Sequence, residues 1–267
     1  MDKLDPAQPE SCYERVQVWN VAAADAHLQR RFRQETQRRK SSIHPLNRAM
    51  KKLLVFDLDG TLLDSVGGIA ASVNRTRADY GFAPLSPEKV ASFTGDGAKK
   101  LIERSFSDVR LPVPLEEAVG KMVQHYANDP VVDSFLYDGV AEGIRELHNA
   151  GWIVTVVSNK PVVVSEKILT HFGLMPYLAE NIGGGSGFPL KPAPDALFSL
   201  MEKYEVPAEN IYVIGDNHTD LNFAKAAGVK SVFCEYGFGV KADAETSYTV
   251  NSFSGCVKLL STVLTEM

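Results

Sequence analysis

The chain has 267 residues, of which 45% are hydrophobic and 23% charged, values that build a globular core and exclude a chain disordered throughout. Its net charge of −5 and sequence pI of about 5.7 give neither nucleic acid nor an anionic membrane a bulk surface to bind, so a small anionic partner would need local positive charge or a metal. The length suits one sizeable α/β domain, or a core domain with a second one inserted.

Residues 1–49 hold nine Lys/Arg against six Asp/Glu, a segment charge of +3 that leaves −8 for the remainder. The basic stretch from Gln29 to Lys40 reads as a solvated helix, an organelle-targeting leader or a disordered tail, and its acids argue against a transit peptide. A further reading makes Met50-Lys51-Lys52 the natural start. No chemistry is legible in this segment, which is treated as an N-terminal extension.

From Met50 short apolar runs alternate with amphipathic stretches, as in βαβ units around a parallel sheet. The runs predict strands at Lys52–Phe56, Ile153–Val157, Ile211–Ile214 and Ser231–Cys234, with weaker ones at Asn181-Ile182 and Tyr248–Val250. Helices are expected at Val140–Ala150, Val162–Phe172, Asp195–Tyr204, Asp220–Ala227 and Ser254–Leu264. The interval from Val66 to Phe135 holds no strong strand and reads as helices at Ile69–Tyr80, Pro87–Ser92, Gly97–Phe106 and Leu115–Ala127. That is too much for one crossover. The expected organisation is therefore a doubly wound α/β core (50–65 and 137–267) carrying an inserted helical subdomain (66–136) over the strand ends.

Cys12, Cys234 and Cys256 show neither disulfide nor metal spacing, and no run approaches the roughly 18 apolar residues of a membrane span. A reducing cytoplasm is the expected location, with a monomer or homodimer that binds neither membrane nor nucleic acid.

Chemistry concentrates at the strand ends. The first strand runs into Asp57-Leu58-Asp59-Gly60-Thr61, the second into Ser158-Asn159, and the third into Gly215-Asp216, with Asp220 four residues on. In open α/β sheets such ends face one ligand crevice. Lys191-Pro192-Ala193-Pro194 adds a cation ahead of a helix that Pro194 would open. Two carboxylates as close as Asp57 and Asp59 repel unless a cation or a shared proton intervenes, and carboxylates are natural ligands of Mg²⁺. The inventory is a phosphoryl-transfer kit: Asp57 as nucleophile, Asp59 as acid and base, Ser158 and backbone N–H groups for a phosphoryl oxygen, and Lys191 with Mg²⁺ against its charge. A calcium loop is disfavoured, because its glycine belongs at position 6 with a glutamate at position 12, whereas Gly60 stands at position 4. The glycine run Gly183–Gly187 lacks the Gly-Lys-Ser/Thr of a phosphate loop and reads as a flexible loop. Asp220 has a competing role as a first-turn helix acid. The histidines, His218 among them, show no paired metal spacing.

Asp57-Leu-Asp59-Gly-Thr61, Ser158, Lys191 and Gly215-Asp216-Asn217-His218-Thr219-Asp220 resemble the four ordered motifs of the haloacid dehalogenase superfamily. The resemblance implies a Rossmann-like core with a C1-type cap, and a Mg²⁺ held by Asp57, the backbone carbonyl of Asp59, and Asp216. Asp220 would support the metal's waters or Lys191. Ser158-Asn159-Lys160-Pro161, Gly183-Gly184, Lys191–Asp195 and Thr94-Gly95-Asp96-Gly97-Ala98 resemble the phosphoglycolate phosphatase branch, although that branch more often carries Thr at position 158. Thr61, Asn159, Gly95 and Gly97 join Ser158 and Lys191 as expected contacts to a small phosphorylated metabolite. Asp59 disfavours dehalogenases, which lack this second acid, while Lys99 and Lys100 keep a phosphonatase in view. Alternatives on the same skeleton are a pyrophosphatase, a nucleotidase, a sugar-phosphate phosphatase or a β-phosphoglucomutase-like enzyme. A non-catalytic binding module is the alternative of a different class.

Overall fold

The computed structural model describes residues 51–265, with side chains to 262. The N-terminal extension and Cys12 therefore lie outside the described residues.

Six parallel strands form the sheet: β1 (Leu53–Phe56), β4 (Ile153–Pro161), β5 (Glu180–Gly184), β6 (Ile211–Gly215), β7 (Lys230–Cys234) and β8 (Tyr248–Val250), in the order β5-β4-β1-β6-β7-β8. β1 is central, and all four of its residues are buried. A strand covered on both faces must be apolar on both, because successive side chains point to opposite sides. Leu54 and Phe56 accordingly join one hydrophobic cluster, Leu53 and Val55 the other. The first cluster takes in helices α5 (Val140–Asn149), α6 (Val162–His171) and α9 (Phe253–Thr265) and continues into residues between β1 and β4 such as Ile69, Ile102 and Met122, and the second takes in α7 (Asp195–Tyr204) and α8 (His218–Ala227). This is the expected α/β architecture, doubly wound about a parallel sheet.

Between β1 and β4 lie helices α1 (Val66–Asp79), α2 (Pro87–Ala91), α3 (Ala98–Ser105) and α4 (Leu115–Asn128). The interval is not wholly helical at its ends. Leu63-Asp64 (β2) pairs antiparallel with Phe135-Leu136 (β3), tying together the two chain segments that enter and leave the helices. Two-residue strands leave no readable alternation, so the ribbon has no sequence signature. Inside the insert, the buried guanidinium of Arg77 donates to the carbonyls of Ala83 (2.6 Å) and Ser105 and twice to Asp108 (2.8 Å each).

Three expectations need correction. β4 runs four residues past Val157, and its last residue, Pro161, pairs with Gly184, so Gly183 and Gly184 belong to strand β5 and not to a flexible loop. α8 starts at His218, two residues early, because the Asn217 side chain caps the helix and Asp220 returns a bond to the Asn217 N–H at 3.0 Å. Pro194 takes the N-cap of α7 and not its first turn.

Candidate active site

Register assembles the site. Phe56 is paired with Val156 of β4 on one side and Ile214 of β6 on the other, so Asp57 and Asp216, just past their strands, come out beside Ser158, which is still within β4. The loop after β1 then folds back sharply: the Leu58 carbonyl accepts from the N–H groups of Leu62 (3.0 Å) and Leu63 (2.9 Å). Gly60 makes that bend possible. Its φ is +78°, and a Cβ there would collide with the Asp216 carboxylate.

Asp57, Asp216 and Asp220 form an acidic cluster in which one ligand oxygen from each lies within 4.8 Å of the others. The cation among them is Lys191, whose side chain is 3% exposed and whose Nζ lies 2.6 Å from Asp220 Oδ1 and 2.9 Å from Asp57 Oδ1. The contact to Asp57 lacks hydrogen-bond alignment, so Asp57 Oδ1 is a buried acceptor with no hydrogen bond among the described residues. Three carboxylates thus face one ammonium, which leaves two negative charges uncompensated. Burial, opposed by Lys191 and reinforced by Asp220 and Asp59, pushes the Asp57 carboxyl up to about 6. Burial, with Asp220 and Asp57 adding to it, holds Asp216 well above the usual carboxylate range. For Lys191 burial works against the charge, but Asp220 and Asp57 outweigh it and raise the ammonium. The donor set and the charge deficit both fit one hard divalent cation.

Asp59 stands apart from this cluster. Its Oδ1 accepts from Ser65 Oγ (2.6 Å) and from Lys160 Nζ (2.7 Å). Asp220 serves two expected roles together: Oδ2 closes the capping box of α8 while Oδ1 holds Lys191.

A cavity of about 70 Å³ opens over these groups, with room for only a few water-sized groups. Asp57, Asp59, Ser158, Asn159, Lys191, Asp216, Gly95 and Gly97 line it, as do Leu101, Met122 and Tyr126 from the insert. Two expected substrate contacts are placed otherwise. Thr61 does not line the cavity: it is fully buried, and its carbonyl accepts from Tyr236 Oη at 2.8 Å. Asn159 reaches the cavity, but both of its amide protons are committed, to the carbonyls of Gly95 (2.8 Å) and Lys191 (2.9 Å). Lys160 is the functional candidate that residue-type reasoning passed over. Its signal was its place in Ser158-Asn159-Lys160-Pro161, where the resemblance gave it no role.

Comparison with known proteins gives a consistent result. The haloacid dehalogenase-like hydrolase family matches residues 54–234. The chain is 37% identical over 199 residues to the phosphoglycolate phosphatase of Colwellia psychrerythraea, covering 72% of this chain and 88% of that protein. It is 32% identical over 196 residues to the phosphoglycolate phosphatase of Rhodospirillum rubrum, covering 71% and 81% respectively. Among solved structures, a predicted phosphoglycolate phosphatase from Haemophilus somnus 129pt superposes with a TM-score of 0.75 at 28% identity, covering 80% of this chain and 100% of that one. Among the described residues, no helix is long and apolar enough to cross a membrane.

Proposed function

The chain belongs to the haloacid dehalogenase-like hydrolase family, and on that premise we propose that it is a Mg²⁺-dependent phosphatase whose substrate is 2-phosphoglycolate. The observation that carries this reading is the acidic cluster around Asp57, two charges short of neutrality, on the floor of a cavity that admits only a small ligand. Asp57 attacks phosphorus; the ester P–O bond breaks with its electron pair on the glycolate oxygen, which takes a proton from Asp59. Asp59 then removes a proton from water as that water attacks the aspartyl-phosphate, and phosphate leaves with the Asp57 oxygen restored to a carboxylate. Lys191 and Ser158 face the phosphoryl oxygens. Asp57 and Asp216, with the Asp59 backbone carbonyl and support from Asp220, would hold the divalent cation, which supplies charge neutralisation and orientation of the phosphoryl group.

The glycolate end is favoured by the insert, which we read as a lid spanning residues 66–136 over the 50–65 and 137–267 core. Gly97 and Ala98 line the cavity at the start of α3, and no side chain caps that helix. Uncapped N–H groups at a helix start suit a carboxylate. Phosphate release measured across a panel of phosphomonoesters tests the reading: 2-phosphoglycolate is expected to have the highest kcat/KM. Equal turnover of sugar phosphates, nucleotides, pyrophosphate and 2-phosphoglycolate removes the glycolate assignment.

A further inference from the structure

Lys160 joins three parts of the molecule. It sits near the end of β4, its side chain is 2% exposed, and its Nζ donates to Asp59 Oδ1 (2.7 Å) and to Tyr126 Oη (2.7 Å). The ammonium also lies 4.1 Å from the Tyr126 ring centroid. Tyr126 belongs to α4, whose Met122 and Tyr126 wall the cavity. A buried ammonium is retained only against strong partners. Here the partners are the carboxylate assigned to proton transfer and a ring from the insert.

The two oxygens of Asp59 are used unequally. Oδ1 accepts from both Ser65 and Lys160, whereas no described residue donates a hydrogen bond to Oδ2. With Oδ1 engaged by both donors, Oδ2 is the oxygen left available for proton transfer. The pair of donors therefore selects which oxygen works and holds the carboxyl plane in one orientation.

We propose that Lys160 is a positioning residue for the proton-transfer step: together with Ser65 it presents Asp59 Oδ2 to the leaving oxygen, and through Tyr126 it makes that presentation depend on the seating of the helical insert. This deepens the phosphatase reading and rests on it. In the step concerned the P–O bond breaks, the leaving oxygen keeps the electron pair, and the Oδ2 proton moves onto that oxygen. An alkoxide needs that proton, whereas acetate and nitrophenolate leave without it.

The test is leaving-group dependence. In Lys160→Met, kcat/KM for 2-phosphoglycolate, or for whichever alkyl phosphomonoester the wild type prefers, is expected to fall about 10²-fold, while kcat/KM for acetyl phosphate or p-nitrophenyl phosphate falls less than about 5-fold. A purely structural lesion lowers both classes by the same factor, so equal losses, or no loss in either, overturn the proposal. Ser65→Ala, the second donor to the same oxygen, provides the same contrast if Lys160→Met does not fold. Tyr126→Phe keeps the ring and removes the hydroxyl; a contrast of the same direction and roughly several-fold size is expected, and wild-type ratios would sever the link to the insert. Failure of the phosphatase reading shows separately, as a wild-type protein inert toward every alkyl phosphomonoester.

Discussion

Asn159 grips Lys191 by both of its backbone groups: the Lys191 N–H donates to Asn159 Oδ1 at 2.8 Å, and Asn159 Nδ2 donates back to the Lys191 carbonyl at 2.9 Å. The second proton of the same amide goes to Gly95 in the insert. One side chain therefore sets the backbone from which the cluster's ammonium extends. Asn159→Ala strands two buried backbone groups of Lys191, each with a desolvation cost of about 1–3 kcal/mol, and the half-buried Gly95 carbonyl. Denaturant unfolding is expected to show a stability loss at the upper end of that range. Phosphate release should fall by more than the unfolded fraction explains, and activity at wild-type level in the folded variant contradicts the role.

Asp57→Asn removes the nucleophile and one charge from an under-compensated cluster. Turnover is expected to drop by roughly 10⁴-fold or more. In metal-free buffer the melting temperature should rise, because a buried carboxylate pushed up to about 6 opposes folding when it is ionised at neutral pH. A lower melting temperature would show that the cluster is not short of positive charge.

Chelation with EDTA should abolish phosphate release, and added Mg²⁺ should restore it. Mg²⁺ should also stabilise the fold by binding the native state, by about 2.7 kcal/mol at a concentration of 100 times its Kd. Thermal shift on Asp216→Ala is expected to show none of this effect. A Mg²⁺ shift that survives in that variant places the ion elsewhere.

Gly97 has φ +86°, and a Cβ there would stand 2.6 Å from Leu190 Cδ1. Gly97→Ala forces a residue with a side chain into the left-handed region, a strain of order 1–3 kcal/mol, beside the uncapped start of α3. The expected outcome in steady-state kinetics is a raised KM for 2-phosphoglycolate with a smaller change in kcat. An unchanged KM would remove this loop from substrate binding.

Arg77→Met keeps the hydrophobic stem and strands the carbonyls of Ala83 and Ser105, for an expected cost of about 1–3 kcal/mol in chemical unfolding. The exposed half of the ion pair has a pH signature. The hydrogen bonds from Arg77, outweighing a small burial effect, hold the Asp108 carboxyl below its ordinary range. Its contribution is therefore present above about pH 4 and is lost as pH falls through the depressed folded value. The variant should lack that acid-limb loss; an identical acid limb would mean that the pair contributes nothing.

Much of the fold is legible in the chain because periodicity is a local property. β1 is buried on both faces and therefore apolar at every position, and α7 falls on Asp195–Tyr204 as its pattern predicts. The extension of β5 through Gly183-Gly184 is not legible. Glycines carry no strand signal, and that segment is extended because β4 continues beside it to Pro161.

The same division holds at the site. Residue type and order alone single out Asp57, Asp59, Ser158, Lys191, Asp216 and Asp220 as candidates, since residues just past buried parallel strands face the ligand crevice and Lys191 is a cation in a loop before a helix. What each polar atom does was decided only by the fold. The Thr61 carbonyl accepted from Tyr236 away from the cavity lining, Asn159 committed its amide to the backbones of Lys191 and Gly95, Asp220 divided its oxygens between a helix start and an ammonium, and Lys160 took Asp59 by one oxygen. Hydrogen bonds are short-ranged and directional, and their partners here lie as far apart as 175 residues in the chain. Composition and spacing can name the groups that meet in such a site, but their pairing depends on distances that exist only once the sheet and the helical insert are packed.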